Sequence, residues 1–512
     1  MSDAILTPHV NISTPINREH ARKVGANYAL LFFGCLLFHV VGTWSIPLID
    51  RDEPRFAEAS REMIERGDYI VPYFNNQLRL DKPPLAYWAQ VASYKVFGEN
   101  DFAARFPSAV AAAIIALSIL TWGTRLRTAT ASQAQIGGEA VGWWAAIIFT
   151  LSLQTFINAK AAVADMWLVL FVTTAHWAGY EIIQRAAWNW KWWFLFYFSL
   201  ALGFLTKGPI AWAPLLTLAA MKFFVRDVAP STALRTGLAK RFKFLRGIVL
   251  MLAIVALWGL PALIQTHGEF FRIGIGRHVV GRSLGAMESH GANSLGFYLL
   301  LLPFYFVTVF ASFFPWSIKL SSLTRKLWRS RDIIDTYLLT GTAIIFVIFS
   351  LIKTKLPHYT LPAFPLLSLL LARHMIDHAQ FLKRCAVAAA SIYLVVAFFA
   401  APAVARFFPA AQLYRQSREY LRPEMEFGAV DFQEPSLVWY FRSRIKGWMT
   451  PLNSASAAQF MEKNGARFVI LPTTVVTKVF PNLPATWKSF STRGFNIAKG
   501  KDVDLTLVLK PD

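Results

Sequence analysis

The sequence carries little charge. Asp, Glu, Lys and Arg make up 16% of its 512 residues, against about 25% in soluble domains. With 55% hydrophobic residues and a mean hydropathy of +0.41, that deficit excludes an ordinary soluble domain and points to a polytopic membrane protein. Cysteine is also scarce. Cys35 and Cys385 both sit in apolar runs, so no disulfide framework is implied. The first thirty residues hold no apolar core ahead of a small-residue cleavage site. No cleavable signal peptide is expected, and the first apolar run is expected to stay as an anchor. Internal repeats and low-complexity segments are lacking. So are a G-x-S-x-G elbow, a P-loop, a dinucleotide fingerprint and an H-E-x-x-H zinc pattern.

Abundant Phe (43) and Trp (18) suit lipid-facing and interfacial positions. A membrane span needs roughly 20 apolar residues. Eleven candidates are centred near residues 37, 112, 149, 174, 199, 215, 256, 304, 344, 366 and 395, and the expected count is eleven to thirteen. Residues 83–97, apolar on one side and rich in aromatics, suit a helix lying along the interface.

Orientation follows the basic residues in short loops. Arg18, Arg22 and Lys23 precede the first span, which puts the N-terminus in the cytoplasm. Alternation then gathers the strongly basic loops on that side, from Arg125 and Arg127 through Lys222–Arg246, including Arg235, to Arg373, Lys383 and Arg384. Much of the formal net charge of +22 thus has a topological origin, and a nucleic-acid partner is not expected. The opposite side receives five loops of mixed charge: 48–100, 158–165, 205–209, 267–293 and 353–359. From about residue 410 the pattern changes. The helix-like PSLVWYFRSRI and NSASAAQFMEKNG are followed by the strand-like ARFVILP and VDLTLVL, a small α/β domain on the side of the five loops. The expected organisation is a cytoplasmic segment over residues 1–25, a transmembrane domain over 26–409 and a C-terminal domain over 410–512.

The five loops hold the chemistry. In RDEPRFAEASREM (51–63), Asp52 can cap a helix that has Pro54 in its first turn and ends at Gly67. Glu58, Arg61 and Glu62 then read as its solvated face. A cap does not account for a second carboxylate, Glu53, where the chain leaves the bilayer. In RLDKPP the prolines hold Lys82 on an extended turn, where its ammonium suits either lipid headgroups or a bound phosphate. Asp165 opens a span and reads as a cap or as a functional carboxylate. Lys207, in LTKGP, reads as turn punctuation or as a functional cation; a charge inside the apolar region costs about 2.5–3.5 kcal/mol. Lys353 and Lys355, with Arg55, Lys82 and Lys207, break the basic-inside pattern. Cations gathered against that rule point to a bound anion, and His358 and Tyr359 would add donors. His267, His278 and His290 share a loop with Glu269 and Glu288, and His278 with Asp81 is a candidate pair for a divalent metal.

DEPRFAEASREM, GDYIVPYFNNQLRLDKPPLAYW, the Asp165 span, FLTKGP and KTKLPHYTLP resemble the lipid-carrier-dependent glycosyltransferases of the GT-C superfamily. Within that clan of protein mannosyltransferase-like enzymes they are most similar to the aminoarabinose transferase group, which modifies lipid A. The resemblance covers about residues 25–375. It implies an all-α polytopic fold with periplasmic interfacial helices, placed in the bacterial inner membrane. It also implies an inverting transfer of a sugar from undecaprenyl phosphate to lipid A or to another periplasmic glycan or protein acceptor. By motif, Asp52 matches the catalytic aspartate and Asp165 a second acidic position. Arg55, Lys82, Lys207 and Lys355 match cations around the carrier phosphate, with Tyr359 in the same loop. The metal of some relatives would fall to Asp81 and His278. Other readings are a protein O-mannosyltransferase-like enzyme, a transporter or flippase of a polyprenyl-linked sugar, and a non-catalytic scaffold. Charges in loops at one face, without a repeat, weigh against a transporter.

Overall fold

The computed structural model describes residues 18–126, 138–185, 187–228, 240–281, 294–329 and 331–511. Arg127, Arg235, Glu288 and His290 lie outside the described residues.

The apolar runs form helices because a bilayer leaves no water to satisfy backbone N–H and C=O groups. The first half of the chain forms α1 (Arg18–Val40), α2 (Asp52–Arg66), α3 (Leu85–Phe97), α4 (Asp101–Gly123) and α5 (Gly138–Thr150). It continues through α6 (Leu153–Ala159), α7 (Asp165–Gln184), α8 (Trp190–Lys207) and α9 (Ala213–Val228). Among the described residues, five helices are long and apolar enough to cross a membrane, or up to seven if each bent pair is one span. Each of the eleven expected centres falls in a helix, and the lower count by length among the described residues reflects how the apolar runs break and join. The runs near 149 and 304 bend by 67° and 120°. Those near 366 and 395 merge in one run, Pro357–Ala405. The runs near 199 and 215 are parted at Gly208-Pro209 into α8 and α9, neither of which qualifies. α1 contributes only a short apolar stretch, Gly25–Val40.

Small residues let the helices approach closely, as lipid-embedded packing favours. A Cβ on Gly123 of α4 would lie 2.5 Å from the Gly142 Cα of α5. Ala111, Ala112, Ala113 and Ala116 line the same α4 and are fully buried.

Above the helices stands a C-terminal sheet domain with strands β3 (Glu426–Val430), β4 (Met449–Leu452), β5 (Arg467–Pro472), β6 (Lys488–Asn496) and β7 (Lys501–Lys510). Two earlier strands, β1 (Tyr73–Phe74) and β2 (Gln77–Leu78), form a separate hairpin. The sheet order is β4-β3-β5-β7-β6. β4 and β5 run parallel to β3, whereas β7 is antiparallel to both β5 and β6. Parallel neighbours need crossover helices, and Pro435–Phe441 and Ser454–Glu462 supply them. The second is capped by Asn453 and Ser456 in a reciprocal box. Phe427, Phe441, Phe468 and Leu507 form the centre of this domain's own core.

The C-terminal domain rests on α2, and this changes the reading of that helix. α2 begins at Asp52 and ends at Gly67, whose φ is 65°. Asp52 makes no side-chain cap; Arg51 occupies the cap position. Glu58, Arg61 and Glu62, expected on a solvated face, are buried. Arg61 donates to Glu58 at 2.7 Å and to Glu99 at 2.8 Å, and Arg442 from the C-terminal domain pairs with Glu58. A charged face of this density is buried only when each charge meets its opposite. α3 does form over the expected interfacial stretch, but its polar side packs on protein. Gln90 bonds Ser60 of α2 at 2.7 Å and Ala104 of α4 at 3.0 Å.

Candidate active site

The described parts of the five loops meet at the end of the helices beneath the C-terminal domain. Glu53 shows how the first is set. Its carboxylate receives Arg105 Nε at 2.9 Å and Nη2 at 2.6 Å, and the backbone N–H groups of Ile49 and Ala162, each at 2.7 Å. Arg105 also donates to the carbonyls of Thr43, Ile46 and Pro47. One buried ion pair thus fastens the start of α2 to α4 and to the loop before α7. Asp52, the next residue outward, is exposed and lies within the electrostatic field of Arg79, Lys207 and His358.

Asp165 and Lys207 form the centre. Lys207 Nζ donates to Asp165 Oδ1 at 2.6 Å, and His358 Nε2 stands 3.8 Å from the same oxygen. The Lys207 ammonium also lies 5.4 Å from the centroid of the Tyr359 ring, a cation–π distance. Lys207 ends α8 because Gly208 follows with φ 79° and ψ −153°, a region open only to glycine. Lys82 enters from the RLDKPP turn. Its field reaches Asp165, and its Nζ donates to its neighbour's carbonyl, Asp81 O, at 3.2 Å.

Arg79, in the same turn, was not singled out by the sequence reading. It donates to the Tyr87 hydroxyl at 3.0 Å and approaches Asp81 at 3.3 Å. Burial works against its charge, but Asp81, Tyr87 and Asp52 outweigh burial and hold its pKa above the ordinary value. The signal available in sequence was an arginine two residues before an aspartate in a loop already marked for anion binding.

A cavity of about 410 Å³ opens from this cluster. Asp81, Lys82 and Lys207 form its polar end, and Trp212, Trp258, Leu263 and Phe270 line the rest. A charged mouth on an apolar trough suits an amphiphile with an anionic head. Phe270, Phe271 and Gly274 bring in the fourth loop.

Asp52, Asp81, Asp165, Lys82, Lys207 and Tyr359 therefore come together. Arg55 lies one turn along α2 from Asp52, partly buried, with its field on Asp50. Lys355 goes elsewhere. Its Nζ donates to the carbonyls of Phe349, Ser350 and Ile352 at 3.0, 2.6 and 2.6 Å. Those groups close the helix Ile333–Leu351, whose last carbonyls have no intrahelical partner. An ammonium has three N–H groups, so Lys355 is committed to a helix end rather than to the cluster. Burial lowers its pKa to about 8.

Of the pair read as a possible metal site, only the Asp81 side chain lies among the described residues. Asp81 stands 3.3 Å from Arg79 and 3.9 Å from Lys82, a cationic setting that opposes a divalent ion. The side chain of His278 lies outside the described residues. Among the described residues, no group of three or more His, Cys, Asp or Glu side chains is gathered for a metal.

Residues 81–259 match the family described as dolichyl-phosphate-mannose-protein mannosyltransferase. An uncharacterized protein of Aquifex aeolicus is 26% identical over 336 residues, 65% of this chain and 60% of that one. The undecaprenyl phosphate-alpha-4-amino-4-deoxy-L-arabinose arabinosyl transferase of Yersinia pestis is 29% identical over 370 residues, 70% of this chain and 60% of that one. The chain thus spans 60% of the length of these curated relatives. In fold it is similar to ArnT from Cupriavidus metallidurans, solved bound to undecaprenyl phosphate. That match has a TM-score of 0.71 at 18% identity and covers 94% of this chain and 98% of that one. Over part of its length the chain is thus similar in sequence to glycosyltransferases that use a lipid-carried sugar, and over nearly all of it the fold is similar to that of ArnT.

Proposed function

We propose that this protein moves a sugar from undecaprenyl phosphate to an acceptor at the periplasmic face of the bacterial inner membrane. The observation that carries this reading is the meeting of Lys82 and Lys207, from loops far apart in sequence, at the charged mouth of an apolar cavity beside Asp52 and Asp165. The isoprenoid tail lies in the trough lined by Trp212, Trp258 and Leu263, and the phosphate meets the two ammonium groups. The relative solved with undecaprenyl phosphate supports that choice of carrier, and the basic loops on the opposite side support the orientation.

In the transfer, the bond from the sugar's anomeric carbon to the phosphate oxygen breaks and a bond to the acceptor oxygen forms. Negative charge grows on the departing undecaprenyl phosphate. Lys82 and Lys207, already fixed by Asp81 and Asp165, stabilise it without reorganisation. For a hydroxyl acceptor, Asp52 takes the proton. For a phosphate acceptor, already ionised, Asp52 orients the acceptor and balances the cations.

The sugar is 4-amino-4-deoxy-L-arabinose and the acceptor lipid A in the reading that the Yersinia relative's name favours. The mannosyltransferase match over residues 81–259 favours a second reading, a hydroxyl on a protein. Mass spectrometry of lipid A from a deletion strain separates them. Loss of an aminoarabinose adduct supports the first, and unchanged lipid A with lost protein glycosylation supports the second. Binding of undecaprenyl phosphate to purified protein tests the carrier site. Lys82→Ala and Lys207→Ala are expected to weaken it at least about 10-fold each, and unchanged affinity in both would overturn the assignment.

A further inference from the structure

Asp50, Arg51 and Asp52 lead into α2 in succession. The first two are gripped by the C-terminal domain. Asp50 accepts the backbone N–H of Ser436 at 2.9 Å and also receives the Ser436 hydroxyl. Arg51 Nε donates to Glu434 Oε2 at 3.1 Å. Glu434 is buried, and its other oxygen accepts Asn496 Nδ2 at 3.1 Å, from the end of β6. The grip on Arg51 is therefore anchored in the sheet. Two residues upstream of Asp50, the Leu48 N–H donates to the Tyr440 hydroxyl at 2.9 Å. On the other side of Asp52, Glu53 is fastened to Arg105 of the membrane domain. In this run Asp52 is exposed, within the electrostatic field of Arg79 and Lys207.

We infer that Glu434 and Ser436 are positioning residues. From the C-terminal domain they hold the chain ahead of α2 so that the Asp52 side chain stands in the field of Lys207 and Arg79. This deepens the reading of Asp52 given above and rests on it. Each residue beside Asp52 is tied to a different domain, so the placement of this carboxylate depends on the two domains staying docked. The requirement is geometric, since a shift of about 1 Å in a reacting group costs on the order of 100-fold in rate.

The test reads placement directly, in the full chain purified in detergent, with Cys35 and Cys385 replaced by serine and Asp52→Cys introduced. The pH dependence of iodoacetamide alkylation reports the ionisation of the thiol at position 52. In the parent it is expected below the ordinary value of about 8.5, because Arg79 and Lys207 lie within electrostatic reach of position 52. Adding Ser436→Ala or Glu434→Gln is expected to move it back toward about 8.5, while Ser436→Thr, which keeps the hydroxyl, leaves it near the parent. A midpoint unmoved in both Ser436→Ala and Glu434→Gln, with unchanged thermal unfolding, overturns the inference. So does a parent midpoint already at the ordinary value. The functional reading fails by a different result, full transfer by Asp52→Asn, which leaves the thiol titration untouched.

Discussion

The carboxylate of Glu53 receives hydrogen bonds from Arg105, Ile49 and Ala162, while its neighbour Asp52 stands exposed. Substitutions at the two positions should separate chemistry from structure. Asp52→Asn is expected to cut transfer to a hydroxyl acceptor by about 100-fold or more, as loss of a general base does, and to slow transfer to a phosphate less, with the thermal midpoint almost unmoved in both cases. Glu53→Gln takes from the buried Arg105 the carboxylate it is hydrogen-bonded to, leaving only the more distant Asp101. It should cost about 3–5 kcal/mol, read as a marked fall in thermal midpoint in detergent. The two lysines divide likewise. Lys207→Met should weaken carrier binding. Lys355→Met should destabilise the end of Ile333–Leu351 and leave the affinity for undecaprenyl phosphate unchanged, as measured by binding and by melting.

Among the elements, two glycines carry tight constraints. Gly208 stops α8 in a backbone region that L-residues avoid, and Lys207 owes its place to that stop. Gly208→Ala should cost about 1–3 kcal/mol and reduce carrier affinity, because relieving the strain moves the ammonium. Gly142 sits against α4, where a Cβ would come within 2.5 Å of Leu120 O. Gly142→Ala should force α5 away and lower the melting temperature, with residual activity per folded molecule retained. The broken helices serve the site as well. Each break near Gly208 or in the segment 353–359 leaves a polar stretch at the end of a span, where a charge need not cross the apolar layer. Had α8 and α9 run on as one helix, Lys207 would have been carried along a helical face rather than to a loop tip.

For the whole molecule, the seam between the C-terminal domain and α2 carries paired charge and several acids with raised pKa, Asp50 and Glu62 among them. Burial, the largest cause in both, pushes Asp50 and Glu62 up to about 7, with Glu434 and Glu58 respectively adding to it. The sign follows from proton counting. An acid that keeps its proton when folded but loses it near pH 4 when unfolded makes folding less favourable as pH rises between those values. Docking should therefore weaken as pH climbs from about 4 to about 7 and level off above. Proteolysis of the seam at pH 5.5 and 8 checks this, and Asp50→Asn should flatten its share. Arg442→Met strips Glu58 and Glu65 of a partner, and is expected to release the C-terminal domain to protease at any pH.

Legibility differed between these features for physical reasons. The membrane-embedded helices at 101–123, 165–184 and 333–351 showed in sequence because each is a long apolar run. Strands β5 and β7 showed through their β-branched residues, whereas β3, EFGAV, is short and was not seen. Asp52, Asp165, Lys82 and Lys207 were legible because a charge at the edge of an apolar run has few ordinary explanations. Arg79 was not, because an arginine in a polar loop has many. Glu58, Arg61 and Glu62 read as a solvated face because spacing along a helix cannot say whether water or another domain covers it.

The sequence alone determined that this chain is built in apolar helices, that cations collect in the loops opposite its basic ones, and that a mixed helix-and-strand segment follows the last of them. Apolar length and charge placement act locally, so they are written in the order of residues. Only the tertiary structure decided which cations face the cavity, that Lys355 closes a helix instead, and that the tail grips the residues ahead of Asp52. Those outcomes depend on contacts between groups hundreds of positions apart, and a buried charge reveals its role only through the partner that neutralises it.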